Sequence, residues 1–276
     1  MISRLFPEKI IEPLRPAKAI TGRGHTALQR RRTLSIASFA LGIGIGIFLL
    51  YFLLFAWVKS QTVITEYFEP YKNLINVIFF ITVFLILPLL SLWISDNFVN
   101  QSEHYKIGEE AEIQAVDSFR SLLLEPWTVV QNFEFPYRKW GDIDIILIGT
   151  GGIWAVEVKG YTNRVRNIGD NWHFKNKFGW WKLSKHPAKQ ARRNAVRLKN
   201  YLDAEGVNVG WVESVVLWAG DELNLIVEKP ETPVWKISEL PTMGGFWQKQ
   251  KFSVEQVSQV VTVLQNSVNQ SKKKSK

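Results

Sequence analysis

Asp142, Asp144, Glu157 and Lys159 stand in one stretch, GDIDIILIGTGGIWAVEVK, which runs from Gly141 to Lys159. Two short runs rich in Ile, Val and Trp flank Gly149-Thr150-Gly151-Gly152, the composition of two strands joined by a tight turn. A fold-back at Thr150-Gly151 sets Asp144 opposite Glu157 and Asp142 opposite Lys159. Side chains alternate along a strand, so all four share one sheet face. Three carboxylates and one ammonium on an otherwise apolar hairpin are costly unless they pair or bind a cation. Asp144 and Glu157 with a strand carbonyl offer hard oxygen ligands suited to Mg²⁺ or Mn²⁺, and Asp142 is expected to support them from behind. A cation held there would polarise a phosphoryl oxygen and acidify its water, with Lys159 orienting the nucleophile or stabilising charge. The competing reading is a cross-strand salt bridge of Glu157 and Lys159 that performs no chemistry.

The elements that must position this hairpin are legible on both sides of it. From Glu103 to Leu124, the residues Ala111, Ala115, Phe119 and Leu122 recur at helical spacing. Strands are expected at Thr128–Phe135, Ile143–Ile148 and Ile153–Val158, then a helix at Pro187–Tyr201. Short strands at Ser214–Ala219 and Val234–Ile237 follow, and Ser253 opens an amphipathic helix to Ser267. The apolar residues of the central hairpin fall on both faces, so the sheet should be covered on both sides. Helix, three antiparallel strands, helix, strand and helix make an α/β (α+β sandwich) domain.

The motifs, in this order, resemble the nuclease-related domain (NERD) family of the PD-(D/E)xK nuclease superfamily. Gly108-Glu-Glu-Ala111-Glu112 stands for the family's Gly-x-x-Gly-Glu helix, and Asp142-Ile-Asp144-Ile145 for its Asp-Ile-Asp-His-like strand. Glu157-Val-Lys159 matches its Glu-x-Lys strand and Pro187-Ala-Lys-Gln190 its Pro-x-x-Gln helix. Ala111 replaces the second glycine and Ile145 the common histidine; neither departure removes a carboxylate. The resemblance implies a restriction-endonuclease-like core and metal-dependent hydrolysis of DNA or RNA phosphodiesters. It also implies that Glu112, or in its place Glu109, assists the metal, and that Gln190 orients Lys159 or substrate. The plain alternative for Gln190 is an ordinary capping or surface glutamine. The competing class is a non-catalytic nucleic-acid or membrane scaffold that keeps the fold.

Between Asn163 and Tyr201 eleven Lys and Arg face a single acid, Asp170, with Trp172, Phe174, Phe178, Trp180 and Trp181 interleaved. Cations neutralise phosphates and aromatic rings stack on unpaired bases, so Lys185, Lys189, Arg192 and Arg193 are expected to meet nucleic acid. Contact with anionic lipid headgroups is the other reading. No G-x-S-x-G or GK[ST] sequence exists, and His173 and His186 lack metal-ligand spacing. With no Cys, thiol nucleophiles, disulfides and Cys-ligated metals are excluded.

Only 21% of the 276 residues are charged, fewer than in most soluble enzymes. Ser35–Val58 and Leu74–Ser95 contain no charge over 24 and 22 residues, each enough to span a bilayer as a helix. The net charge of +9 lies at the ends: residues 1–34 hold +6, four terminal lysines add +4, and the rest is near neutral. The sequence therefore divides into a basic segment 1–34, spans 35–58 and 74–95 around an external loop 59–73, a nuclease-related domain 98–268, and a Lys-rich tail 269–276. The loop is neutral, with Lys59 and Lys72 against Glu66 and Glu69, so the positive-inside bias sets both termini in the cytoplasm of an inner or plasma membrane. Reporters fused before Met1 and after Lys276 should both read cytoplasmic; an external C-terminal reporter refutes the two-span hairpin.

Overall fold

A computed structural model describes residues 15–22, 25–60, 86–136, 140–184, 186–243 and 250–273, with isolated positions between 71 and 82. The chain divides into two units, one of residues up to His25 with Gly108–Lys276, the other Thr26–Ile107.

The second unit contains helix α1, His25–Ser60. Within it Leu28–Trp57 is 30 residues long with mean hydropathy 2.5, long and apolar enough to cross a membrane. Large apolar side chains such as Phe39, Leu53 and Trp57 are exposed along it, which water would not tolerate at this density. Much of the expected second span, 74–95, and nearly all of the loop 59–73 lie outside the described residues. Helix α2 runs unbroken from Leu87 to Leu122, so it starts well before the helix read from the sequence.

In the first unit the expected strands appear as β2 (Thr128–Glu134), β3 (Asp142–Gly149) and β4 (Gly152–Lys159). Helix α3 (Pro187–Ala204) is followed by β8 (Glu213–Trp218), β10 (Val234–Lys236) and α4 (Val254–Lys273). With β1 (Lys18–Thr21) at one edge, a six-stranded sheet has the order β1-β2-β3-β4-β8-β10, in which β2, β3 and β4 are antiparallel and β4, β8 and β10 parallel. Both faces are covered, as the hairpin's apolar pattern requires. Ala111, Ala115 and Phe119 of α2 pack with Ile145, Leu147, Trp154 and Val156. On the other face Leu198 and Leu202 of α3 and Val260 and Leu264 of α4 pack with Ile146, Ile148 and Ala155. The fold is α/β, with the layers of a nuclease-like α+β core.

Three parts of the structure differ from the sequence reading. The basic segment 1–34 is not merely a flank: Lys18–Thr21 forms β1, a parallel edge strand on β2. Ala17 and Ile20 are buried, and Gly22 donates its N–H to the Gln131 carbonyl at 2.7 Å. A Cβ at Gly22 would fall 1.8 Å from the Asn132 carbonyl oxygen, so only glycine permits this closure. The basic aromatic segment forms a second sheet of its own, with β5 (Val165–Ile168), β6 (Asn171–Asn176), β7 (Gly179–Lys182) and β9 (Leu225–Glu228) in the order β7-β6-β5-β9. The last helix extends into the Lys-rich tail as far as Lys273, started by a reciprocal cap in which Ser253 and Gln256 each bond the other's backbone N–H.

If β1 is integral, Ile20→Ala should cost about 2–4 kcal/mol by opening a cavity in the core. Chemical unfolding of the full chain in detergent checks this; an unchanged midpoint means that β1 is dispensable.

Candidate active site

The β3–β4 ladder runs from Gly149↔Gly152 to Ile145↔Val156, the register that the fold-back at Thr150-Gly151 requires. Past that point each strand keeps its outer partner. β3 stays on β2 through Phe133↔Ile143 and Glu134↔Asp142, while β4 stays on β8 through Glu157↔Val216 and Lys159↔Trp218. Asp144 Oδ2 accepts the Val158 N–H at 2.8 Å, so a carboxylate occupies the fork where the ladder stops.

The fork gathers the charged residues in a dry place. Glu157 is 1% exposed. Its Oε1 accepts from the Lys159 ammonium, and its Oε2 is buried with no hydrogen-bond partner. The Lys159 side chain is 18% exposed, so the cluster opens toward solvent at its lysine end. Burial, reinforced by Asp144, pushes the Glu157 carboxyl up to about 8. Burial also raises Asp144, against the opposing pull of Lys159 and the Val158 N–H. For Lys159 burial alone would favour the neutral amine, but the Glu157 and Asp144 carboxylates outweigh it and hold the ammonium above its ordinary value. Two acids thus share one base, and near neutral pH one acid keeps its proton.

Helix α3 fixes the start of β3. Asn194, 2% exposed, donates from Nδ2 to the Asp142 carbonyl at 3.2 Å, and Arg197 donates to the Trp140 carbonyl. Gly141, at φ +78°, turns the chain into the strand. Neither Asn194 nor Tyr161 is expected from the sequence motifs. Asn194 is legible as the one polar residue in the stripe Ala191, Asn194, Ala195, Leu198, which is otherwise apolar. Tyr161 lies two residues past Lys159, its ring tilted against Trp218 with centroids 5.9 Å apart; burial raises its hydroxyl, opposed by Lys159.

The structure brings together Asp142, Asp144, Glu157 and Lys159, with Asp142 half-buried behind the pair and adding its charge to both carboxyls. Glu112 is 7% exposed on α2, whose apolar stripe packs on the opposite sheet face. Gln190 is half-buried in the first turn of α3, and no hydrogen bond joins its side chain to Lys159 or Glu157. Lys189 and Arg193 are exposed one turn apart, whereas Lys185 lies outside the described residues. Arg192 is a correction to the phosphate-contact reading. Its guanidinium grips Asp170 at 2.5 and 2.6 Å and Thr232 at 2.7 Å, which ties α3 to the second sheet and engages three of its five N–H donors.

Among the described residues no group of three or more His, Asp or Glu converges as a ready metal cage. The donors for a divalent cation are Asp144 and Glu157, and the unpartnered Glu157 Oε2 is the atom such an ion would satisfy.

The mixed α/β sheet covered on both faces is consistent with a nuclease-like α+β core. Residues 107–219 match the model of the nuclease-related domain family. Neither a curated protein nor a solved structure matches the chain.

Because the folded state holds the Glu157 proton more tightly than the unfolded chain, stability from this group is complete at acid pH. It is lost as pH rises from 4.5 through about 8. In chelator, Tm should fall across that window, and Glu157→Gln should flatten the decline. A wild-type Tm that rises toward pH 8 would show that Glu157 is ionised throughout.

Proposed function

We propose that the protein is a membrane-anchored, Mg²⁺- or Mn²⁺-dependent nuclease that hydrolyses phosphodiester bonds of DNA or RNA. The observation that carries this reading is the buried Glu157 Oε2 without a partner, beside Asp144 and Lys159 at the strand fork. Asp144 and Glu157 hold the cation, which when bound supplies a Lewis acid and an acidified water. Lys159, paired with Glu157 at the partly exposed end of the cluster, is the group that would hold the attacking water and offset charge growing on the phosphate. Asn194 keeps Asp142 and Asp144 in line by bonding the strand's first carbonyl.

The membrane arrangement is part of the same proposal. What supports it is that β1 precedes α1 yet pairs with β2, which follows α2, as it would if both ends of the intervening chain lay on one side of a bilayer. An even number of crossings joins them. Leu28–Trp57 supplies one crossing, and the uncharged run 74–95 the return. Charge bias puts that side in the cytoplasm.

One observation favours a non-catalytic scaffold. Lys159 is already paired with Glu157, as a purely structural ion pair would be. The full chain in detergent, incubated with plasmid, single strands and RNA in Mg²⁺ or Mn²⁺, separates the two readings. Asp144→Asn and Glu157→Gln should abolish cation-dependent cleavage. Lys159→Ala should leave cation-induced stabilisation in place while turnover drops by about 10²-fold or more. A wild type that binds nucleic acid, cleaves none of it and gains no stability from either cation is a scaffold.

A further inference from the structure

The β6–β7 hairpin carries apolar rings into solvent. Phe178 at its turn is 75% exposed, Trp181 54% and Trp180 38%. The turn is firm: the Phe178 N–H bonds Asn176 Oδ1 at 2.8 Å, and Gly179 takes φ +125°. Lys175 and Lys182 flank Trp180 through the register, with Lys175 directly opposite it, and the Lys177 amine lies 5.0 Å from the Phe178 ring centre. From Asn171 to Lys182 there are three lysines and no acid.

The direction of the rings selects the partner. A platform for unpaired bases presents its aromatics on one face so that successive bases can stack. Here Trp180 and Trp181 are consecutive on an edge strand and so project to opposite faces, with Phe178 beyond them at the tip. Nucleic acid on one face would leave one Trp in water. A lipid headgroup layer surrounds an inserted tip on every side, accepts indole rings at its interfacial depth, and attracts lysines when it is anionic.

We propose that the β6–β7 hairpin, through Phe178, Trp180, Trp181 and their lysines, inserts its tip into the headgroup region of an anionic bilayer. The contact is independent of the nuclease reading. It gives the domain a second, reversible hold on a membrane beside any spanning helix.

The chain has no cysteine, so Phe178→Cys provides a single thiol for an environment-sensitive fluorophore. The full chain is placed in phosphatidylcholine nanodiscs with and without phosphatidylglycerol. Spin-labelled lipid should quench the probe only in the anionic discs, and the insertion constant should fall about fivefold for each of Lys175, Lys177 and Lys182 replaced by Ala. Amide exchange of residues 171–182 in the unlabelled protein should slow in the same discs, which guards against insertion driven by the probe. A probe that stays open to aqueous iodide in anionic discs, with unchanged exchange, overturns the proposal. Shielding by single-stranded DNA and not by lipid also overturns it, and reassigns the hairpin to nucleic acid.

Discussion

The hydrogen bond from the Val158 N–H to the Asp144 carboxylate decides how the centre of this molecule is arranged. A backbone donor in a buried strand must find an acceptor. Here the acceptor is a side chain rather than the neighbouring strand, so the sheet parts without leaving that donor unpaired. The neighbouring strands β2 and β8 hold the two arms apart, and Asn194 fixes the end of one of them. The opening is therefore rigid. Glu157 is trapped inside it because its alternation along β4 allows no other direction.

Rigidity has an electrostatic consequence. Two carboxyls, Asp144 and Glu157, face one ammonium in a place that water scarcely reaches, so the charges do not balance unless a proton or a cation joins them. That imbalance separates the fork from an ordinary ion pair, which would be neutral as it stands. As pH rises and the shared proton leaves, the uncompensated charge inside the fork grows and the fold weakens.

How much of this could be read in the sequence depended on the range of the interaction. The register of β3 and β4 was legible because a Gly turn and strict alternation leave one solution, and with it came the shared face of Asp144, Glu157 and Lys159. Strand β1 was hidden: four residues within a basic run carry almost no periodic signal, and its partner lies far along the chain. The second sheet was hidden because its outer face is charged, so Arg166, Lys175 and Lys182 read as a solvated run rather than as strands. Arg192 looked free because Asp170 and Thr232, which hold it, meet it only in the folded chain. The family motifs proposed Glu112 and Gln190, and spacing alone could not say which sheet face each would see.

The pairing of β1 with β2 also constrains how the protein is made. Lys18 leaves the ribosome long before its partner Thr128, with all of the apolar α1 between them. The edge of β2 thus stays open until the N-terminal strand returns to it, across a closure of high contact order. If α1 enters the bilayer as it emerges, insertion comes first and the sheet is completed afterwards. Strand β1, the first of the described strands to be made, is thus the last to take its place in the sheet.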